Sequence, residues 1–284
     1  MTLTVDAAFA AYYDAINIST DLRNDANVRK DFLVDIIKKQ LDVVDAFPSG
    51  SIARFTGIKD HSDVDIMVVL HYSKHIKDKN PTEVLQLIRD ALGEYRPNVR
   101  KNGQAVTVKY KTWPHVDVVP AANWVNAGVF THYEIPDATT GTWIKTNPKS
   151  HSDDIDSATS ICGANFRKII KMAKAWNKSH SDYLQSYHLE VMALNGLSGP
   201  LDDLTWNVFQ FFEKAASLAR GTIWHGHGYA DAYLSGSDRA QAVDRLDRAR
   251  DVARMAWHHG FTGDHEKAIG AWRSVFGDQF PRFG

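Results

Sequence analysis

Strand-like segments are confined to the first half of the sequence, and this asymmetry constrains the fold more than any other feature. Short β-prone or apolar runs bounded by turn-forming residues predict strands at 43–47, 64–72, 105–110, 116–119, 129–135 and 143–145. After Pro148 only helical spacing remains, and it predicts helices at 163–179, 186–197, 202–220, 237–259 and 264–276. The chain is therefore expected to contain an α+β half followed by an all-α half.

Helical spacing also covers residues 6–46 and 81–92, so the first half should pack helices on its sheet. The change of pattern sets the expected domain boundary. Residues 1–150 should form the first domain, with its N-terminal helices, and residues 151–284 the second. The length of 284 residues is compatible with this division, because a single hydrophobic core stops growing at roughly 250–300 residues.

Composition and charge exclude several classes of protein. No apolar run approaches the ~20 residues of a membrane span, and the first residues lack the basic and apolar regions of a signal peptide. The single cysteine, Cys162, excludes an intrachain disulfide and a thiolate-rich zinc site, which predicts a reducing, cytoplasmic location. The formal net charge of −1 argues against obligatory binding of duplex nucleic acid, because such proteins usually carry a basic excess.

Two acidic residues lie at the start of the most apolar strand candidate. Asp63 and Asp65 are two positions apart, so their carboxylates should point to the same side of a strand. Asp117 lies between valines in a second apolar run. If the two strands are neighbours, the three carboxylates converge into a site for Mg²⁺, with Mn²⁺ as the alternative, because a divalent cation removes the repulsion between like charges. Taken separately, each acid is also compatible with a solvated turn or a helix cap.

The pair Gly50-Ser51 lies shortly before these acids. Glycine lets a backbone approach a phosphate closely, and a serine hydroxyl with the N–H groups at a helix start can hold phosphate oxygens. On its own, such a pair is compatible with an ordinary turn. Together with the three carboxylates it indicates phosphoryl-type transfer, in which two ions activate the attacking hydroxyl and stabilise the leaving pyrophosphate.

The second half offers cationic and aromatic groups. Lys171 and Lys174 belong to a lysine stripe on an amphipathic helix; periodicity alone favours a solvated face, and contact with a triphosphate is the alternative. Ser186 and Tyr187 open the next helix, where the hydroxyl could bind phosphate and the ring could stack on a base, although a helix N-cap is the simpler interpretation. Asn165 could read a base edge, uracil included, but an N-cap is again the simpler interpretation.

These motifs resemble the polymerase-β-like nucleotidyltransferases. The resemblance rests on Gly50-Ser51, the DxD pair at 63–65 and the third acid, Asp117. The second half narrows it, because MAKAW at 172–176 followed by SYHLE at 186–190 is similar to the helical half of the oligoadenylate synthases and the cGAS/DncV-like enzymes, the CD-NTases. The resemblance implies a catalytic core with a mixed sheet, followed by an all-α domain of the oligoadenylate-synthase type that closes the nucleotide cleft.

The resemblance also implies an activity: a metal-dependent enzyme that joins NTPs, ATP among them, into a cyclic dinucleotide or trinucleotide with release of pyrophosphate. Two Mg²⁺ ions would be held by Asp63, Asp65 and Asp117, and Asp117 would help to deprotonate the attacking ribose hydroxyl. The roles of triphosphate contact carry over to Lys174 and Ser186, and base stacking to Tyr187. Bacterial members make such signals in anti-phage defence, so regulatory or effector proteins are expected partners.

Other functions stay open on the sequence alone. The same chemistry could produce a linear oligonucleotide, or could adenylylate a tRNA or a protein. A non-catalytic nucleotide sensor on the same fold is a further alternative, although such a protein usually lacks one of the metal carboxylates, and this sequence has all three.

Overall fold

The computed structural model of the chain describes residues 3–95, 97–99 and 103–284. Ile18–Ser152 form one unit, which carries the large sheet and is called the sheet unit. Asp153–Gly284, together with the N-terminal segment that ends at Asn17, form the other, called the helical unit. Within the described ranges, every helix is too short or too polar to span a bilayer.

The sheet unit contains the following elements. Its helices are α2 (Thr20–Lys38), α3 (Gly50–Ala53), α4 (Tyr72–His75) and α5 (Pro81–Ala91), with a 3₁₀ turn at Gly93–Tyr95. Its strands are β1 (Val43–Ser49), β2 (Val64–Leu70), β3 (Asn98–Val99), β4 (Val106–Val108), β5 (Val116–Asn126), β6 (Val129–Asp137) and β7 (Thr142–Thr146).

The helical unit begins with α1 (Val5–Ile16) and resumes within α6 (Pro148–Cys162), a helix that crosses the boundary between the units. Its further helices are α7 (Asn165–Ser179), α8 (Ser186–Gly196), α9 (Leu204–Leu218), α10 (Gly236–Phe261) and α11 (His265–Phe276). A two-stranded hairpin, β8 (Trp224–His225) and β9 (Gly228–Tyr229), lies between α9 and α10.

The large sheet is mixed. Its strand order is β1-β2-β5-β4-β3, with β6 paired to β5 and β7 paired to β6. The pair β2–β5 is parallel, whereas the other pairs are antiparallel. The predicted fold class, a mixed sheet with helices followed by a helical part, is therefore confirmed.

Helices α2 and α5 cover one face of this sheet. Leu33 of α2 and Leu85 and Ile88 of α5 pack in one core with Ile66 of β2 and Val118 of β5, and all five side chains are fully buried. Each such side chain contributes roughly 1.5–3 kcal/mol through removal from water. This core fixes the orientation of β2 and β5, because alternate residues of a strand must point to the opposite face.

The N-terminal helix belongs to the helical unit, in contrast to the predicted division into 1–150 and 151–284. Phe9 of α1 packs edge-on against Trp272 and Phe276 of α11, with ring centroids 5.0 and 6.0 Å apart. Tyr12 lies 4.7 Å from the Phe276 ring. An amphipathic pattern predicts a buried face but does not identify the element that covers it. The sequence alone therefore could not assign α1 to the helical unit.

Three local predictions were wrong. The helical region predicted over 6–46 is interrupted, because α1 ends at Ile16 and Ser19 caps α2 by accepting a hydrogen bond from the backbone N–H of Leu22 at 3.3 Å. Residues 148–162, for which the spacing predicted no helix, form α6. The hairpin of β8 and β9 lies after Pro148, where the sequence predicted no strands.

Candidate active site

Asp65 and Asp117 lie side by side on neighbouring strands. They are partners in the parallel pairing of β2 with β5, so both side chains point to the same face of the sheet. That face is opposite to the core formed with α2 and α5, because Ile66 and Val118, the next residues, belong to that core. Neighbouring strands are about 4.8 Å apart, and the two acidic residues are therefore adjacent.

The two acids are part of a polar row that runs across the sheet: Ser49, Asp65, Asp117 and Thr107. Strand pairing places Ser49 beside Asp65 and Thr107 beside Asp117. The Thr107 hydroxyl donates a hydrogen bond to Oδ1 of Asp117, which is fully buried. A buried carboxylate is costly unless it is hydrogen-bonded or bound to a cation. The polar row therefore marks a candidate site.

Asp63 lies one residue before β2, and strand alternation places it on the same side as Asp65. Its side chain is half-buried. The backbone at this point is already tied to the segment before β5, because the N–H of Val64 donates to the carbonyl of His115 at 2.9 Å. The three predicted metal ligands thus lie at the same end of two neighbouring strands.

The Gly50-Ser51 pair directly follows β1 and contacts this end of the sheet. Gly50 has a positive φ of 70°, and a Cβ atom built on it would lie 1.7 Å from Oδ2 of Asp65. The backbone N–H groups of Thr56 and Gly57 both donate to the Ser51 carbonyl at 2.9 Å, which closes the turn after α3. Only glycine permits this close approach between the turn and the carboxylate.

We expect Gly50→Ala to reduce turnover at least about a hundredfold, because the new methyl group must displace the Asp65 carboxylate and a shift of about 1 Å can cost this much. The strain of a positive φ adds a stability loss of roughly 1–2 kcal/mol. Gly141→Ala is the matched control, since Gly141 also has φ 70° but has open space around a built Cβ. Thermal melts should show similar destabilisation in both variants, and steady-state assays should show a loss of turnover only in Gly50→Ala. Equal turnover in the two variants would contradict the placement of Asp65.

The donor set fits a divalent cation. Asp63, Asp65 and Asp117 offer hard oxygen ligands, which Mg²⁺ and Mn²⁺ prefer. The like charges of Asp65 and Asp117 face each other across one strand pairing, and a bound cation would remove their repulsion. Asp63, Asp65 and Asp117 are therefore candidate ligands for metal ions.

The lysine stripe on α7 is not solvated at the two positions of interest. Lys171 and Lys174 are each 2% exposed. The Lys174 ammonium lies 2.6 Å from Oε1 of Glu190, whose side chain has no exposure. Lys171 donates to Oδ1 of Asn17 at 2.6 Å. The interpretation as a solvated face is wrong for both lysines, because helical periodicity gives a side chain's direction but not the partner that meets it.

Ser186 is the first residue of α8, but the N-cap is Gln185, so the capping interpretation of Ser186 is wrong. Ser186 is exposed and Tyr187 is half-buried. The Tyr187 hydroxyl lies 2.7 Å from Nδ1 of His225. Both residues belong to the helical unit, as do Lys171 and Lys174, and their nucleotide contacts stay predictions.

Asn165 is the first residue of α7 and is not its N-cap, a position held by Ala164. Its side-chain amide instead donates to the carbonyl of Leu201 at 2.7 Å, so the capping interpretation is wrong here too. Asn165 borders a cavity of about 760 Å³ in the helical unit, whose lining includes Tyr13 and Lys168. Recognition of a base by Asn165 stays a hypothesis.

A buried histidine on α8 gives the helical unit a pH-dependent stability. Burial lowers the pKa of His188 from 6.5 to about 4. The unfolded chain therefore binds a proton near pH 6.5, whereas the folded chain does not until about pH 4. The free energy of unfolding should fall as the pH decreases through this window, by about 3 kcal/mol in total from this group. Urea unfolding between pH 7 and 4 should show a smaller loss in His188→Gln; an equal loss would contradict this origin.

Sequence reasoning missed several residues that surround the predicted ones. Thr107 had a detectable signal, because a polar residue between two valines on a buried strand repeats the pattern that singled out Asp117. Ser49 directly precedes the Gly-Ser pair and carried no separate signal. The pairing of Glu190 with Lys174 and that of His225 with Tyr187 could not be predicted, since each partner lies on another element of the fold.

Known proteins match this chain along most of its length. Residues 2–158, more than half of the chain, match the family model described as the Second Messenger Oligonucleotide or Dinucleotide Synthetase domain. A probable cyclic nucleotide synthase of Bacillus cereus strain VD146 is 25% identical, with 98% of both chains covered. A cyclic AMP-AMP-AMP synthase of Acinetobacter sp. strain ATCC 27244 is also 25% identical, with 99% of this chain and 86% of the relative covered.

A solved structure shows the same fold. Vibrio cholerae DncV, a cyclic AMP-GMP synthase in complex with the linear intermediate pppA(3′,5′)pG, superposes with a TM-score of 0.73 at 14% identity, covering 96% of this chain and 97% of DncV. The matched family segment includes Gly50, Ser51 and the three acids of the candidate site. The predicted resemblance to the CD-NTases is thereby confirmed. The chain belongs to the Second Messenger Oligonucleotide or Dinucleotide Synthetase family, and it is a nucleotidyltransferase.

Proposed function

We propose that this enzyme joins nucleoside triphosphates, ATP among them, into a cyclic dinucleotide or trinucleotide and releases pyrophosphate. The observation that carries the proposal is the shared register of Asp65 and Asp117 on neighbouring parallel strands, with Gly50 against the Asp65 carboxylate. This arrangement combines metal ligands with a close backbone approach for phosphate. The family membership and the names of the two relatives support the cyclic product.

In this proposal, Asp63, Asp65 and Asp117 hold divalent ions, two in number by the resemblance. When bound, Mg²⁺ or Mn²⁺ supplies Lewis-acid activation of the hydroxyl and charge neutralisation at the pyrophosphate. Thr107 orients the Asp117 carboxylate through its hydrogen bond. Asp117 accepts the proton of the attacking ribose hydroxyl, whose oxygen forms the new bond to the α-phosphorus while the bond to pyrophosphate breaks. A second round on the linear intermediate closes the ring.

The sheet unit also supplies a phosphate contact. The Ser51 hydroxyl and the backbone N–H groups at the start of α3 donate to phosphate oxygens of the nucleotide tail. The two hydrogen bonds to the Ser51 carbonyl keep the turn in place, which holds the donors in a fixed position relative to Asp65. Such pre-orientation lowers the entropy lost when the reactive geometry forms.

The helical unit contributes the remaining contacts. Lys174 and Ser186, with Lys171, contact the triphosphate, and Tyr187 stacks on a base. Any contact by Lys174 is made by an ammonium that Glu190 already holds at 2.6 Å, so its position is fixed before the nucleotide arrives. A role in anti-phage signalling, with a regulatory or effector protein as partner, stays a prediction from the resemblance.

Product analysis tests this function. Purified enzyme with Mg²⁺ is incubated with labelled ATP, GTP, CTP and UTP, treated with phosphatase and analysed by mass. A phosphatase-resistant cyclic dinucleotide or trinucleotide, with matching pyrophosphate release, is the expected result. A linear chain would favour an oligonucleotide polymerase, label transferred only to added tRNA or protein would favour an adenylyltransferase, and no pyrophosphate from any mixture would favour a nucleotide sensor.

A further inference from the structure

The first turn of α8 is held by the segment that follows α9. This segment, residues 221–235, is called the hairpin segment, and it contains β8 and β9. On one side, the Tyr187 hydroxyl meets Nδ1 of His225 at 2.7 Å, with the rings edge-to-face at 5.7 Å. On the other, the hydroxyl of Tyr233 accepts a hydrogen bond from the N–H of Gln185 at 2.8 Å. The turn that carries Ser186 and Tyr187 is thus held from both sides.

His225 is itself fixed at its second ring nitrogen. Nε2 lies 3.2 Å from Oδ2 of Asp154 on α6, and the histidine side chain is only 16% exposed. A carboxylate at Nε2 favours the tautomer that carries its proton there, which leaves Nδ1 as acceptor for the Tyr187 O–H group. The chain Asp154–His225–Tyr187 therefore has a consistent direction of donation, all within the helical unit.

The hairpin segment has a rigid base. The buried carboxylate of Asp231 accepts a hydrogen bond from the N–H of Ile223 at 2.9 Å and pairs with Arg239 of α10. The N–H of Ala230 donates to the Ile223 carbonyl at 2.8 Å, which closes the hairpin. His225 therefore stands on a framework that is fixed independently of Tyr187.

We propose that His225, oriented by Asp154, is a positioning residue that holds the Tyr187 ring ready to stack on the aromatic base of a nucleoside triphosphate. The inference rests on the proposed function for the role of Tyr187, and it adds the element that sets the ring's position. A half-buried tyrosine without such an anchor would sample several rotamers, and ordering it on binding would weaken the affinity. The hairpin segment thus acts on nucleotide affinity without touching the reacting atoms.

Nucleotide binding in four variants tests the proposal. Tyr187→Phe keeps the ring and removes the anchored hydroxyl. His225→Ala removes the Nδ1 partner and leaves only the backbone carbonyl of residue 225, which lies 3.4 Å from the hydroxyl in the wild type. Each is expected to weaken binding of at least one α,β-methylene NTP analogue, among those of ATP, GTP, CTP and UTP, by roughly three- to tenfold, the value of one hydrogen bond. The double variant should lose no more than either single variant, because both remove the same interaction. His225→Asn, which can place an acceptor near the former Nδ1, should recover part of the affinity.

A second pair of variants tests the role of Asp154. Asp154→Asn should weaken binding of the same analogue by a smaller factor, because it removes only the partner of Nε2. Asp153→Asn is the matched control, since Asp153 is the neighbouring exposed residue on α6, and it should bind like the wild type. In the His225 and Asp154 variants the turnover at saturating NTP should stay within about twofold, because the loss of an interaction made equally in the ground and transition states raises KM and leaves kcat unchanged.

The proposal is overturned if Tyr187→Phe and His225→Ala both bind every analogue within twofold of wild type. It is also overturned if the two single losses multiply in the double variant, or if the wild type binds none of the analogues. Failure of the proposed function gives a different result. Wild-type enzyme that binds an analogue but releases no pyrophosphate from NTPs would refute the catalytic proposal. The comparison of analogue binding by the single and double variants would still decide the role of His225.

Discussion

Replacement of Asp65 by asparagine should lower pyrophosphate release by at least about a thousandfold, because loss of a metal ligand removes several kcal/mol of transition-state stabilisation. The melting temperature should stay unchanged or rise. Asp65 lies at the same register as Asp117, so the neutral amide removes a repulsion between like charges while it keeps the size of the side chain. Continuous pyrophosphate detection and differential scanning calorimetry give the two measurements.

Asp60→Asn provides the matched control for this variant. Asp60 is an exposed carboxylate in the loop before β2, and its φ of 62° suits asparagine as well as aspartate. This control should retain the wild-type rate. An Asp65→Asn protein that keeps more than about a tenth of the wild-type rate, well above the loss expected for a metal ligand, would refute the role of Asp65.

Replacement of Glu190 by glutamine should lower the free energy of unfolding of the helical unit by about 3–5 kcal/mol, because it removes the carboxylate charge that lies 2.6 Å from the buried Lys174 ammonium. The triphosphate contact that the resemblance implies for Lys174 would by itself predict an effect on nucleotide binding rather than on folding. The 2% exposure of Lys174 and the absence of exposure at Glu190 lead to the opposite expectation for stability. Urea unfolding followed by circular dichroism measures the loss.

Glu213→Gln on α9 is the control, since Glu213 is exposed and its substitution should change stability by less than about 0.5 kcal/mol. The double variant Lys174→Met with Glu190→Leu should recover most of the lost stability, because apolar residues of similar size can replace a buried ion pair. The folded double variant also isolates the second role of Lys174. If its ammonium contacts the triphosphate, NTP binding should weaken about tenfold or more; wild-type affinity would remove Lys174 from the triphosphate site.

The sequence predicted the parts of the fold that depend on local pattern. The apolar strand with Asp63 and Asp65 at its start and the valine-flanked Asp117 were both detectable, because period-two burial is a local property. Their adjacency was only conditional, since nothing local specifies that β2 pairs with β5. The place of Thr107 in the polar row depends on a second pairing, that of β4 with β5, which local pattern does not specify either.

The features that the sequence did not predict depend on side-chain contacts between elements that are distant in the chain. Lys174 and Glu190 lie on different helices, and helical periodicity cannot distinguish a solvated lysine from one that is buried against a carboxylate. Likewise, α1 shows an amphipathic pattern, but only the aromatic side chains of α11 decide that it packs in the helical unit. The hairpin around His225 was missed because glycines at 226 and 228 indicate a loop, whereas its strands are only two residues long.

Whether Asp63, Asp65 and Asp117 hold divalent ions together is decided by anomalous scattering from crystals grown with Mn²⁺ and an α,β-methylene ATP analogue. We expect anomalous density with oxygens of all three carboxylates at about 2.0–2.3 Å from the ions, which also contact the phosphates of the analogue. An analogue bound in the crystal with no ion at these carboxylates, or with Asp117 out of reach of an ion held by Asp63 and Asp65, would contradict the proposed catalytic centre.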